Sequence, residues 1–263
     1  MAEVTVSTWA QLVEQLTTLG EDSTITLTAD IDMNEQLPGG VTTTAKSKNY
    51  NIVIDGYYDG RKHSIKNLWS NSNIYVIQAY SYGKLTIKNV DFENVYMTRY
   101  GSSTSAPRFL YNVKIEDCSL SGTAVDCDIC NGVEATRCGI KVTGSGTAAK
   151  FTGFGNKCHF CNIELNGSFN NCTFHLDNSY VSGDFAITTN TTTSFLFSSP
   201  YISVFNATVD TEAAPKVNGS ATLMLINSDR LPEGITISSD FIACTTSELR
   251  SRQDLIDKSF PIG

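Results

Sequence analysis

Six short segments of the chain share one local form. SIKNLW, TIKNVDF, KIEDCSL, ATRCGIKV, HFCNIEL and NNCTFHL each run from an apolar or small residue through a polar one to a large apolar one. Their anchors, Leu68, Val90, Cys118, Cys138, Cys161 and Cys172, stand 22, 28, 20, 23 and 11 residues apart. Four of these five intervals fit one coil of a parallel β-helix, about 20 to 28 residues with its turns. A single coil cannot bury both sides of its strands. Coils stacked ~4.8 Å apart enclose a continuous interior and align like residues in ladders along the axis. Between Ile25 and Ile242 there is room for roughly ten coils, a rod on the order of 45 Å long. The interval of 11 does not fit. Either Cys172 lies on another face of the coil that holds Cys161, or the regularity breaks there.

Composition suits many short strands. Of 263 residues 41% are hydrophobic, enough for a continuous core, and only 17% are charged. Abundant Ser, Thr, Asn and Gly supply the tight turns. One domain can account for the whole length, because elongated all-β folds run this long as a unit. The period differs only at the ends. In STWAQLVEQLTTLG, Trp9, Leu12, Val13, Leu16 and Leu19 recur at helical spacing. Thr8 and Gln11 fit a capping box, and Gly20 suits the residue just past the helix. After Gly20 the period becomes two, through Ile25, Leu27, Ala29, Ile31 and Met33. The expectation is a helical cap over 1–22, a parallel β-helix over 23–245 and a short helical tail over 246–263. In that tail Leu249, Leu255 and Ile256 are placed to dock on the last coil or on a partner. An open solenoid end exposes strand edges, and the N-terminal helix is placed to cover them.

A formal net charge of −8 argues against a protein that neutralises phosphates along DNA or RNA. No apolar run approaches the ~18 residues of a membrane span. MAEVTVSTWAQ has no basic segment followed by an apolar one, so the expectation is synthesis in a cytoplasm with the eight cysteines starting as thiols. The glycosylation-like triplets at Asn206 and Asn218 then read as coincidences of an Asn- and Thr-rich chain.

The N-terminal helix, STITLTADID and NIVIDGYYDGRKHSIKNL together resemble the opening of pectate-lyase-like right-handed parallel β-helix proteins. Ile54, Asp55, Gly56, Ile65 and Asn67 carry the likeness, which extends over residues 4–245 as a pattern. That superfamily includes polysaccharide lyases, glycoside hydrolases and phage tailspike and virion proteins. The ending ELRSRQDLIDKSFPIG resembles the C-terminal segment of phage-encoded β-helix proteins. The resemblance implies an all-β, single-stranded right-handed solenoid and a virion component.

The stretch KCHFCNIELNGSFNNCTFHLDN, residues 157–178, holds three cysteines and two histidines. Cys127 with Cys130 and Cys158 with Cys161 form CxxC pairs, the spacing of structural zinc knuckles. The 27 residues between the pairs exceed the about 15 to 20 of the common pattern. Alternation places Cys161 inward with Ile163 and Leu165, Cys118 with Leu120, Cys138 with Ile140 and Val142, and Cys172 with Phe174 and Leu176. Cys158, three residues before Cys161, finds no place on that side. The favoured reading is a ladder of buried thiols behaving as small hydrophobes. A zinc site and disulfides formed later outside the cell are the alternatives. No cofactor or metal is expected. His63, in the charged turn, His159 and His175 read as solvated histidines.

Glycan cleavage needs two carboxyl groups ~5 to 9 Å apart. Asp91 with Glu93, and Glu164 with Asp177 if their coils are neighbours, are the outward candidates. Tyr57, Tyr58, Tyr80, Tyr82, Tyr96 and Tyr100 fall in or near turns, where tyrosine suits sugar stacking and protein interfaces. The expected function is a non-enzymatic virion structural protein, a capsid decoration, a fibre or a tail-associated host-adhesion component. It would act as a homo-oligomer with other virion proteins or host surface glycan as partners. A polysaccharide lyase or glycoside hydrolase is the alternative.

Overall fold

Alternating short strands can bury their apolar side only by stacking on copies of themselves, and this chain does so. A computed structural model of the chain describes residues 1–99, 107–147, 149–188, 194–211, 216–231 and 242–251. Each described strand pairing is parallel except that of Tyr57–Tyr58 with Arg61–Lys66, a small antiparallel hairpin. The parallel strands form three faces of a β-helix.

On the first face one inward column runs Ile25, Ile54, Ile87, Ile115, Ala135, Cys158 and Leu176. On the second face a column runs Ile31, Ile65, Phe92, Leu120, Ile140, Ile163, Val181, Phe205, Ile226 and Ala243. That column has ten rungs, as the repeat predicts. The third face stacks Ala45–Lys46, Tyr75–Gln78, Arg108–Tyr111 and Asp128–Asn131, then the start of Lys150–His159. Except for Ala243, every member of the two inward columns is 5% exposed or less, and full burial of each large aliphatic contributes about 1.5–3 kcal/mol.

The corner between the first and second faces is a single residue with left-handed backbone. Asn89 (φ 56°), Asp117 (52°), Arg137 (53°), Phe160 (56°) and Asn178 (46°) occupy it in successive coils. Asn and Asp tolerate this conformation, while Arg and Phe adopt it only because the strands on both sides fix it. The repeated segments are therefore copies of this corner. The residue after each corner points inward again: Val90, Cys118, Cys138, Cys161, Ser179.

Several expectations change. The first element is not the helix but a strand, Ala2–Val6, which pairs in parallel with Ser23–Leu27 and adds an initial rung. The helix Trp9–Thr18 follows, with Thr8 Oγ1 accepting from the Gln11 amide at 3.2 Å and Gln11 Oε1 accepting from the Ser7 amide at 2.9 Å. Trp9, Leu12 and Leu16 are buried in the main core. Leu68 is out of step with the other anchors, lying at the next corner, one residue before Trp69, which pairs with Tyr96. His63 takes its place before Val90. Cys172 pairs with Phe151 on the third face, so it belongs to another side of the coil begun by Cys161. At the C-terminus, Leu249 of the helix Thr246–Ser251 packs with Val204, Leu225 and Cys244. Leu255 and Ile256 lie outside the described residues.

Candidate functional site

The cysteine-rich stretch is wall, and the structure gives its thiols a structural task. Cys118 Sγ lies 3.2 Å from the Glu116 carbonyl and 3.4 Å from that of Ile87. Cys138 Sγ lies 3.3 Å from the Thr136 carbonyl and 3.6 Å from that of Ile115. Cys161 Sγ lies 3.4 Å from both His159 and Ala135 carbonyls. Each thiol donates to the carbonyl just before its corner and to a first-face carbonyl one coil below. The carbonyl before each corner already accepts a backbone amide, from Asn89, Asp117 and Arg137 in turn, so the thiol adds a second, weaker contact.

Cys158, which alternation left without a place, is 1% exposed and stands between Ala135 and Leu176 in the first-face column. The two cysteines of the CxxC point into one interior from two faces. The left-handed turn at Phe160 breaks the alternation between them. Burial, the largest influence, holds the Cys130 and Cys172 thiols well above their ordinary value. The Cys138 thiol, ahead of burial, does the same for Cys118. Such thiols are poor nucleophiles and poor metal ligands. Among the described residues no group of three or more His, Cys, Asp or Glu side chains is arranged to hold a metal ion.

Of the three histidines, His63 departs from expectation. His63 is 3% exposed, with Nδ1 3.2 Å from Asp30 Oδ1 and Nε2 buried without a partner. His159 Nδ1 lies 2.9 Å from Asp177 Oδ2 on the outside of the first face. His175 stands beside Lys157 and His159, and burial followed by these neighbours lowers its pKa.

The carboxylates do not assemble as a pair that includes Glu164. Glu164 is on the second face and Asp177 on the first, so the two never face one another. Asp91 and Glu164 are three coils apart, roughly 14 Å along the axis and beyond glycosidase spacing. Asp91 and Glu93 are two apart on one strand, but neither lines a groove described below. Asp91 accepts from Ser119 Oγ at 2.8 Å. Glu164 is bound to Lys141 Nζ at 2.9 Å and accepts from Asn166 Nδ2 at 2.8 Å. Lys141 first, then Asn166, hold its carboxyl below the usual range, so it is ionised and no proton donor near neutrality.

What these residues do form is a long outer groove on the second face. One outward column runs Ser119, Gly139, Asn162 and Tyr180, and the next runs Ser121, Lys141, Glu164 and Ser182. Small side chains make the floor, the Lys141–Glu164 pair stands on one side, and Tyr180, half-buried against Val204, Leu225, Cys244 and Leu249, closes the far end, around a volume of about 420 Å³. Beyond Tyr180 a second hollow of about 370 Å³ continues past Asn206, Asn227 and Arg230 to Arg250. A chain of amides orders this part: Asn227 Nδ2 donates to Asn206 Oδ1 and Asn206 Nδ2 to Tyr180 Oη, both at 2.8 Å. From Ser119 to Asn227 the groove spans five coil steps, roughly 24 Å. Sequence reasoning found Glu164 here and missed Tyr180, Asn206 and Asn227. Their regular spacing to outward positions was the available signal.

Of the tyrosines singled out by sequence, Tyr57, Tyr58, Tyr80, Tyr82 and Tyr96 are all more than 40% exposed. Tyr57 and Tyr58 sit on the hairpin and Tyr96 beyond the corner that ends the second face, so they form no single cluster. Tyr100 lies outside the described residues.

Residues 3–123 match a family model described as "Putative pectate lyase-like adhesive domain". No curated protein and no solved structure matches the chain.

Proposed function

We propose that this chain is an adhesion module of the β-helix type that lays a linear surface glycan along the outer groove of its second face, without cleaving it. The observation that carries this reading is the groove itself, a straight track of hydroxyls and amides with Tyr180 in its length and its one carboxylate locked to Lys141. Hydroxyl and amide groups exchange hydrogen bonds with sugar hydroxyls, and an aromatic ring covers a sugar's C–H face. The match of the N-terminal part to an adhesive domain supports binding over turnover.

A glycan array followed by titration with the best polysaccharide tests it. Binding that Tyr180→Ala weakens at least about tenfold, with no new reducing ends or unsaturated products, is expected. Turnover abolished by Glu164→Gln or Asp91→Asn would overturn it. The finer reading is a virion component, a decoration, fibre or tail-associated adhesin working as a homo-oligomer. It draws support from the resemblance of the ending ELRSRQDLIDKSFPIG to phage-encoded β-helix proteins, and from the phage members of the pectate-lyase-like superfamily that the opening resembles. Mass spectrometry of purified virions tests that point, and absence of the chain from them sinks it.

A further inference from the structure

On the opposite side of the solenoid, at the corner between the third and first faces, lies a separate cleft of about 320 Å³. Tyr82 and Tyr111 wall it, Asn112, Asn131 and Gly132 form its base, and Lys157 stands at its mouth. Its parts are held in advance. Tyr111 stacks on Tyr75 with ring centroids 4.6 Å apart, and the Arg108 guanidinium lies 5.1 Å from its ring. Tyr82 Oη donates to Glu134 Oε2 at 3.0 Å. Burial first, then Glu134, push the Tyr82 phenol up to about 12, so that donor persists across the working pH range.

Gly132 has φ 67°, and a Cβ there would stand 2.6 Å from Asn112 Oδ1. The glycine thus leaves room for the Asn112 side-chain amide at the base, which makes no protein hydrogen bond among the described residues. The cations differ from one another. Lys114 is 3.7 Å from Glu134, whereas Lys157 makes no ion pair among the described residues.

We propose that this cleft binds one sugar ring bearing a carboxylate, as a second saccharide site independent of the second-face groove. Two fixed phenol rings present apolar faces for sugar C–H groups, and the free amide meets ring hydroxyls. Lys157 supplies the charge for the carboxylate. Glu134, the cross-strand neighbour of Lys157, is engaged by Lys114 and Tyr82, so Lys157 is the cation left to favour an acidic sugar. The site faces away from the groove, so one straight polymer cannot fill both. It takes a branch or a second chain.

Chemical-shift titration of the whole chain with methyl glucuronoside and methyl glucoside tests the proposal. The acidic sugar binds about tenfold more tightly, with shifts at Tyr82 and Tyr111. Lys157→Gln removes that difference while the neutral sugar still binds, and Tyr82→Ala weakens both. Tyr180→Ala, in the other groove, leaves all of this unchanged, so the two readings fail separately. Equal affinity for both sugars, a preference that survives Lys157→Gln, or no shifts around the cleft would each overturn the proposal.

Discussion

Ser179 makes the contact that Cys161 makes one coil earlier. Its Oγ donates to the Asp177 carbonyl at 3.0 Å and to the Cys158 carbonyl at 2.9 Å, matching the thiol's contacts with His159 and Ala135. The column Cys118, Cys138, Cys161, Ser179 is thus a column of small donors, and sulfur is one way to build it. The eight cysteines, all buried as free thiols, need no redox or metal explanation to account for this column.

The first prediction tests that equivalence. Cys161→Ser keeps the donor and shifts stability by less than about 1 kcal/mol, whereas Cys161→Ala leaves a small cavity and removes the second contact to the His159 carbonyl, which keeps its bond from the Arg137 amide, and costs about 1–2 kcal/mol. Urea unfolding of both variants measures the difference. Equal costs for Ser and Ala would show that the hydrogen bond contributes nothing.

Phe160 holds a left-handed backbone, φ 56°, at a corner that Asn89 and Asn178 occupy in other coils. Its ring is 49% exposed, so little burial compensates for the strain. Phe160→Asn is expected to stabilise the chain by about 1 kcal/mol, the usual cost of that conformation for a residue with a bulky side chain. A raised melting temperature checks it. Destabilisation would mean that the ring has a packing role outweighing the strain.

Gly56 stands at this corner in an earlier coil, with a different solution. A Cβ there would lie 2.1 Å from the Asn89 carbonyl oxygen, and backbone cannot swing aside as a side-chain tip can. Gly56→Ala should cost more than about 2 kcal/mol, while Gly20→Ala, with open space around it, should cost almost nothing. Thermal unfolding of the pair separates close approach from general loss of a glycine. Beside it Asp55 Oδ1 accepts from Asn89 Nδ2 at 2.9 Å, so Asp55 and Gly56 of the IDG segment both meet Asn89 of the next coil.

The corner explains what was legible in the sequence. Val90, Cys118, Cys138 and Cys161 recur at coil spacing because each follows a one-residue turn of fixed geometry, and fixed geometry leaves a local pattern. Cys158 was misread for the same reason. Strict alternation holds along one strand, and Phe160 ends that strand between the two cysteines. The burial of His63 left no local trace. It depends on Asp30, 33 residues earlier, brought beside it by the coil. The strand Ala2–Val6 was hidden because its pairing partner lies beyond the helix. The outer groove follows the same rule. Its floor was implied by outward parity, but the alignment of Tyr180 with Asn162 and Gly139 required knowing the length of every coil.

The outside of the coils carries carboxylates whose ionised forms are held by neighbours, which makes stability depend on acid. Arg137 grips Asp117 with two bonds of 2.7 Å and, as the largest influence, lowers its pKa from 3.8. Asn67 does the same for Asp32, and Lys141 for Glu164. A carboxyl with a folded-state pKa below its unfolded value stabilises the fold above the unfolded value, and that contribution disappears as pH falls through the folded one. Stability should therefore fall slightly below about pH 6.5, where the lowered pKa of His175 disfavours its protonation in the fold, and decline more steeply below about pH 4, where these carboxylates are forced to protonate. All three are partly solvated, so each contributes little alone, less than about 1 kcal/mol for the exposed Arg137–Asp117 pair. Melting temperatures from pH 7 to pH 3 measure the slope. Asp117→Asn removes one member of the set, so its curve should fall less steeply in acid than that of the unaltered chain and meet it at the lowest pH. Parallel curves would mean that Asp117 titrates alike folded and unfolded, and that the Arg137 contact is without energetic effect.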